Sequence, residues 1–116
     1  MERLKQRADF LAAAGGGRAP SAAFVLQARN RNDRGPARFG FTVSKKVGNA
    51  VERNRVRRRL REVVRLSAAD RARTGHDYVL IGRRPALDLS FAEMAEALER
   101  ALRRVHVGRG GRTDTR

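Results

Sequence analysis

The chain has 116 residues, enough for one compact domain with a modest hydrophobic core. Its 27 Lys and Arg residues against 12 Asp and Glu residues give a formal net charge of +15, and it contains no cysteine. Neither a run of about 18 apolar residues nor an apolar stretch after the charged first residues is present, so we expect no membrane span and no secretory signal. The lack of cysteine excludes disulfides and thiolate metal sites. The composition therefore predicts a cytoplasmic protein that binds a polyanion, most simply a nucleic acid.

Hydrophobic periodicity and turn-forming residues predict six main elements. In chain order these are a helix over 4–14, strands over 21–29 and 38–44, a helix after the loop 45–49, a strand over 77–85 and a helix over 90–106. Leu4, Ala8 and Leu11 are expected to face inward from the first helix, and a further short strand could lie in 17–21. The fold class is thus α+β: a two-layer α/β sandwich in which three helices pack on a small mixed sheet of three or four strands, in the order α-β-β-α-β-α. We expect one domain over 1–107 and a disordered basic tail over 108–116.

The two longer helices have recognisable apolar stripes. In the helix that follows residue 49, the inward stripe consists of Val56, Leu60, Val63 and Val64. The opposite side of the same helix carries Asn54, Arg58, Arg61 and Arg65. Arg57 and Arg59 flank the stripe, where their stems can cover apolar surface while the guanidinium groups reach water or phosphate. In the last helix, which Ser90 and Glu93 begin as a capping box, the inward residues are Phe91, Met94, Leu98, Ala101, Leu102 and Val105.

Seven arginines lie within residues 53–65, and the nearby acids are Glu52 and Glu62, so pairing along the helix cannot neutralise them. A solvated face that serves solubility is the simpler interpretation. Crowded cations repel one another without a polyanion, however, which favours nucleic-acid binding. A helix-turn-helix reader of DNA needs a preceding helix, whereas this helix follows a strand, and residues 66–76 break the heptads that a basic leucine zipper requires. Folded RNA, recognised through its shape and phosphates, is the better prediction.

The segment FTVSKKVGNAVERNRVRRRLREVV, residues 41–64, strongly resembles the signature of the bacterial ribonuclease P protein subunit. In that signature a strand ends in Ser-Lys-Lys, a Gly-Asn-Ala loop follows, and an Arg-Asn-Arg motif opens a basic helix. The resemblance extends over nearly the whole chain, through RLKQRADF, FVLQA, DYVLIGRRP and the last helix. It implies a protein that binds the catalytic RNA of ribonuclease P and the 5′ leader of precursor tRNA, and that assists removal of the leader. The alternative is a non-catalytic RNA-binding protein of ribosomal or chaperone-like type.

The resemblance also implies a left-handed strand-helix-strand connection, against the usual right-handed rule, and two sets of RNA contacts. The residues expected to bind the catalytic RNA are Arg53, Asn54, Arg55, Arg57, Arg58, Arg59, Arg61 and Arg65. In this family a cleft between the first helix and the sheet binds the leader. The residues expected in or beside that cleft are Phe10, Gln27, Lys45, Lys46, Arg83 and Arg84.

Two positions depart from the family pattern in this cleft. Ala14 stands where a second aromatic residue is frequent, and Gln27 where a further aromatic is common on the first strand. Because a base–aromatic stack contributes about 1–3 kcal/mol, we expect leader binding to depend less on stacking here. It should depend more on Lys45, Lys46 and Arg83.

No protein active site is evident from the sequence. Phosphodiester hydrolysis by a protein usually takes clustered carboxylates that hold metals, or a histidine pair, and the acids here are scattered. For His76 and His106 we expect structural roles. The resemblance implies instead that the RNA subunit, with its bound Mg²⁺, performs the cleavage. On this interpretation the protein alone binds no metal and needs no obligate protein partner.

Overall fold

The computed structural model describes residues 2–68 and 71–114, and their side chains as far as His106. The helices are α1 (Arg7–Ala14), α2 (Ala50–Ser67) and α3 (Phe91–Asp114), with 3₁₀ turns at Lys45–Val47 and Arg84–Leu87. The strands are β1 (Glu2–Arg3), β2 (Gly17–Pro20), β3 (Phe24–Asn30), β4 (Arg38–Thr42) and β5 (His76–Gly82). The α+β class and the predicted order of the six main elements are confirmed. The backbone of α3 continues past residue 107, the predicted end of the domain; the side chains of 107–116 lie outside the described residues, and the disorder of 108–116 stays a prediction.

The strands form one mixed sheet in the order β1-β4-β5-β3-β2. The strands β1, β4 and β5 are parallel neighbours, whereas β3 is antiparallel to both β5 and β2. The prediction of three or four strands is wrong, because the sheet has five strands within the part of the chain that the structure describes. The strand β2 lies where a fourth strand was considered, and β1, with two residues, is too short to show alternation. The helix α2 connects the parallel neighbours β4 and β5; the left-handed course of this connection stays a prediction.

One face of the sheet is covered by α2 and α3 and forms the main core. From the sheet it contains Phe24, Leu26, Phe39, Tyr78 and Leu80, none more than 3% exposed. The helices contribute Val56, Leu60, Val63 and Val64 from α2 and Met94, Leu98, Ala101, Leu102 and Val105 from α3. Both predicted stripes are therefore confirmed except at Phe91, which is 43% exposed at the start of α3.

The other face of the sheet is covered in part by the short helix α1. A second cluster there consists of Leu4, Ala13 and Val79, with Phe10 and Ile81 packed against it. Phe10 lies directly over Gly40, where an added Cβ would come within 2.5 Å of its ring. The inward orientation is confirmed for Leu4, which is buried, but is wrong for Ala8 and Leu11: both are exposed, Leu11 to 61%. Because the helix begins at Arg7 and not at residue 4, its face toward the sheet is set by Phe10 and Ala13.

Candidate RNA-binding surfaces

The basic helix α2 begins at a capping box. The side chain of Asn49 accepts a hydrogen bond from the Glu52 N–H at 2.9 Å, and the Glu52 carboxylate accepts one from the Asn49 N–H at 3.0 Å. This pairing satisfies backbone donors at the helix start and places an acid at the positive end of the helix dipole. Four residues of α2 are buried and face the sheet and α3. The basic side of α2 therefore faces outward.

The outer surface of α2 contains a shallow depression lined by Val51, Asn54, Arg57, Arg58 and Arg61. Arg57 donates a hydrogen bond to the side-chain oxygen of Asn54 at 2.8 Å, which orders the guanidinium one turn along the helix. Arg58 is exposed. Val51 is 74% exposed and gives this otherwise polar surface one apolar contact. A concave surface lined by guanidinium groups is suited to phosphate and ribose.

Three arginines of α2 are partly buried or paired within the protein: Arg53, Arg61 and Arg65. Arg61 lies 5.9 Å from the centre of the Phe41 ring, within cation–π range. The Nε atoms of Arg53 and Arg61 are buried, and neither finds a hydrogen-bond partner among the described residues. Arg65 pairs with Glu62 at 2.5 Å, which lowers the pKa of that carboxyl below its usual value.

Arg59 forms its contacts within the protein and stabilises the packing of α2 against the residues before α3. Its Nε donates to the Ala86 carbonyl at 2.9 Å, and its Nη2 donates to the Leu89 carbonyl. The guanidinium also lies 4.8 Å from the centre of the Phe91 ring. Arg59 therefore joins α2 to the start of α3, and less of its donor capacity is free for RNA than at Arg58.

Lys45 and Lys46 lie at the same end of the sheet as Arg83 and Arg84, and these four residues are called the lysine edge. The two pairs follow β4 and β5, which are parallel neighbours, so both pairs leave the sheet at the same end. All four side chains are exposed. Arg84 donates to the Val47 carbonyl at 2.6 Å and to Glu52 at 3.1 Å, and so connects its own turn to the lysine turn. The Asn49 N–H and Arg84 lower the pKa of Glu52, which keeps this connection charged.

Phe10 and Gln27 lie on the opposite face of the sheet from α2. Phe10, a residue of α1, is half-buried against Gly40 of the sheet, whereas Gln27 is 7% exposed. Strand register places Gln27 beside Val79, and Thr42 beside Ile81, on this α1 face. The structure therefore separates the predicted residues into three groups: the outer side of α2, the α1 face, and the lysine edge, which Arg84 connects to α2 through Glu52.

A cluster of charged residues that sequence reasoning missed lies beside α1. The carboxylate of Asp77 is fully buried and accepts hydrogen bonds from Arg29 at 2.9 Å, from Arg31 at 2.5 Å, and from Arg38 at 2.8 Å to each oxygen. Burial raises the pKa of Asp77, but the hydrogen bonds from the arginines more than offset this and hold the pKa below its usual value. Arg29 and Arg38 are the direct register partners of Asp77 on the two neighbouring strands. The sequence does show an acid near the start of a central strand. The arginines that pair with it, however, can be identified only once the strand register is known.

His106 and Tyr78 meet at the beginning of β5. The Tyr78 hydroxyl lies 2.8 Å from Nε2 of His106 and accepts a hydrogen bond from the Arg73 N–H at 3.0 Å. The His76 ring packs edge-on against His106, with centroids 5.2 Å apart. Burial, with smaller effects of Arg73 and His76, lowers the pKa of His106 to about 4.

The described side chains do not fit a metal site held by the protein alone. Within residues 2–68 and 71–106, no three His, Asp or Glu side chains come close enough together to hold an ion. The described helices also include none that is long and apolar enough to cross a bilayer.

These features define a class of protein: a small α+β protein with an arginine-rich helix whose charged side faces outward from its core. The family model for ribonuclease P matches residues 1–106. The ribonuclease P protein component of Gluconacetobacter diazotrophicus is 54% identical over 106 residues, covering 90% of this chain and 91% of that protein. That of Ruegeria pomeroyi is 52% identical, covering 89% and 85%.

Solved structures agree with these sequence relatives. The RNase P protein of Thermotoga maritima superposes with a TM-score of 0.74 at 30% identity, covering 90% of this chain and 98% of that one. The RNase P protein of Staphylococcus aureus gives 0.72 at 32% identity, covering 89% and 94%. The chain belongs to the ribonuclease P protein family. It is a protein subunit of the ribonucleoprotein endonuclease that processes tRNA 5′ ends, and ribonuclease P RNA is its partner.

Proposed function

We propose that the outer side of α2 binds the catalytic RNA, while the α1 face and the lysine edge bind the 5′ leader of precursor tRNA. The observation that carries the proposal is the division of α2 itself. Four of its residues are buried in the core, and Asn54, Arg55 and Arg58 are exposed on the side away from the sheet. The α1 face lies on the other side of the sheet from α2, and the lysine edge borders α2 where Arg84 pairs with Glu52, so the protein can contact two RNAs at once.

The contribution of the protein is electrostatic and positional. Its cations reduce the repulsion between the phosphates of the two RNAs, so that the substrate binds and Mg²⁺ occupies its sites at moderate concentration. We propose that the RNA subunit holds this Mg²⁺ and supplies the chemistry of cleavage, and that the complex acts in the cytoplasm. If the protein makes about 6–10 phosphate contacts, its RNA affinity should fall by about 10³–10⁵ between 50 and 200 mM salt. A salt-independent affinity would contradict the phosphate-contact proposal.

The decisive experiment is cleavage of precursor tRNA at low Mg²⁺ by the protein alone, by the ribonuclease P RNA of the same organism alone, and by both. Cleavage that requires both and produces a mature 5′ end supports the proposed function. Cleavage by the protein alone would reveal a protein active site. If the complete mixture binds precursor and mature tRNA equally, the protein has no leader-binding role and serves as a general RNA-binding component.

The relative importance of stacking and charge in leader binding can be tested with two single variants. Because Phe10 is the one aromatic residue expected in this cleft and is partly covered by Gly40, Lys45→Ala should weaken leader-dependent affinity at least as much as Phe10→Ala. The quantity to measure is the ratio of affinities for precursor and mature tRNA. A much larger loss with Phe10→Ala would show that stacking dominates.

A further inference from the structure

The helix α1 carries Phe10 and is short, and its apolar packing on the sheet is limited to Phe10 and Ala13. It has eight residues, its N-cap residue Gln6 forms no side-chain cap, and among its residues Ala13 is buried. Its largest aliphatic side chain, Leu11, is exposed. Helices of this length are marginal without tertiary contacts. The position of Phe10 therefore depends on whatever fixes the rotation of α1 on the sheet.

The charged cluster around Asp77 provides such a contact through Asp9, the neighbour of Phe10. The Oδ1 atom of Asp9 lies 3.4 Å from Nη2 of Arg29 and 3.5 Å from Nη2 of Arg38. Both arginines are fixed by hydrogen bonds to the buried Asp77. Asp9 therefore attaches α1 to the charged cluster of the sheet, in addition to the packing of Phe10 and Ala13.

The charge balance of the cluster explains why an acid is favoured at this position. Three guanidinium groups converge on the single carboxylate of Asp77. Arg31 has a second partner, Asp33, at 3.0 Å through both Nε and Nη2. Arg29 and Arg38 share Asp9 as their other acidic partner among the described residues. Without Asp9, these two cations would share one carboxylate with a third arginine.

We propose that Asp9 is a positioning residue for precursor-tRNA binding: by pairing with Arg29 and Arg38 it fixes α1 so that Phe10 lies over Gly40 at the leader surface. This inference rests on the proposed leader-binding function. It differs from a direct contact with RNA, because an acid beside an RNA phosphate repels it. Loss of the Asp9 charge should strengthen binding if charge alone matters, and should weaken leader binding if position matters.

The test uses the reconstituted holoenzyme with Asp9→Asn and a matched control, Asp33→Asn. Both variants remove one negative charge, but Asp33 is half exposed and pairs with Arg31, which is not one of the arginines that contact Asp9. Affinity is measured for precursor tRNA with its leader, for mature tRNA and for the ribonuclease P RNA. We expect Asp9→Asn to lower the precursor-to-mature affinity ratio by about five-fold or more, the lower end of what one base–aromatic stack contributes. Asp33→Asn should leave that ratio unchanged.

A double variant distinguishes positioning from a general loss of stability. If Asp9 acts through Phe10, the variant Asp9→Asn/Phe10→Ala should lose no more leader preference than Phe10→Ala alone. The inference is overturned if Asp9→Asn keeps or raises the leader preference, if the two substitutions are additive, or if precursor, mature tRNA and ribonuclease P RNA all lose affinity equally. A wild-type holoenzyme without leader preference contradicts the proposed function itself, and the inference falls with it.

Discussion

At the scale of single residues, the arginines of α2 differ in what their guanidinium groups already contact. Arg58 is exposed, whereas Arg59 donates to the carbonyls of Ala86 and Leu89 and stacks on Phe91. Their adjacent positions in the sequence conceal this difference, because the partners of Arg59 come from a turn 27 and 30 residues further along the chain. The two side chains should therefore contribute to different measurable quantities.

For RNA binding, the logarithm of the affinity falls linearly with the logarithm of the salt concentration. We expect Arg58→Ala to make this slope shallower by about one, as the loss of one phosphate contact does. Arg59→Ala should instead lower the free energy of unfolding by about 1–3 kcal/mol, because it removes charged hydrogen bonds and a cation–π contact. The measurements are ribonuclease P RNA affinity across a salt series and urea unfolding of each variant. An equal reduction of the salt slope of RNA affinity in both variants would show that Arg59 leaves its contacts within the protein to bind RNA.

The lowered pKa of His106 predicts that the protein loses stability as the solution becomes more acidic. Its folded pKa of about 4 lies below the ordinary 6.5 because of burial, Arg73 and His76. Between these two values the unfolded chain binds a proton that the folded chain does not, so stability falls as the pH is lowered from 6.5 toward 4. The loss should reach about 3 kcal/mol.

The check is urea unfolding at constant ionic strength between pH 7 and pH 4, for the wild type and for His106→Gln. Glutamine can retain a hydrogen bond to Tyr78 but does not titrate. The variant should therefore show a much weaker pH dependence over this interval. Identical slopes in the two proteins would mean that other groups cause the acid sensitivity.

At the scale of elements, the close approach of α2 to the sheet depends on the last residue of β5. A Cβ added at Gly82 would lie 2.6 Å from Val56 Cγ1, 3.0 Å from Val43 Cγ2 and 3.2 Å from Leu60 Cδ1. These atoms belong to side chains that are almost fully buried. The helix could accommodate an extra methyl group only by moving away from the strand.

We expect Gly82→Ala to lower the free energy of unfolding by about 1–3 kcal/mol through overpacking. Gly15→Ala is the matched control: its nearest neighbour would be the Ala12 carbonyl oxygen at 3.6 Å, and its φ of −86° suits any residue. That control should be neutral or stabilising by up to about 1 kcal/mol. Equal effects in urea unfolding would show that α2 has room to adjust.

Elements that repeat a pattern over several turns were predictable from the sequence, and short ones were not. The stripes of α2 and α3 were identified because each repeats over at least two turns. In contrast, β1 has two residues, and the eight residues of α1 left its rotation, and so the exposure of Leu11, undetermined. The same limit applies to the site. The charge of α2 predicted an RNA-binding helix, whereas the Asp77 cluster depends on register between strands that are distant in the sequence.

At the scale of the whole molecule, repulsion between the positive charges opposes the stability that the apolar core contributes. The formal net charge is +15, and several cations of α2 are near one another on a single helix. Internal pairs relieve part of this repulsion at Asp77, Glu52 and Glu62. The outer side of α2 has little such compensation, so the folded state should be stabilised by any anion that binds there.

We therefore expect the isolated protein to be partly unfolded in buffer of very low ionic strength and to gain helix when sulfate is added. An anion at 100 times its dissociation constant would contribute about 2.7 kcal/mol to folding. That is enough to shift a partly unfolded population to the folded state. Far-ultraviolet circular dichroism during a sulfate titration measures the change, and sodium chloride at matched ionic strength separates specific anion binding from screening. Sulfate acting well below the matched chloride concentration would indicate anion binding to the folded protein, and equal potency would indicate screening alone. A spectrum that stays constant in both titrations would show that the core outweighs the repulsion without help, and that RNA binds to an α2 surface that is already folded.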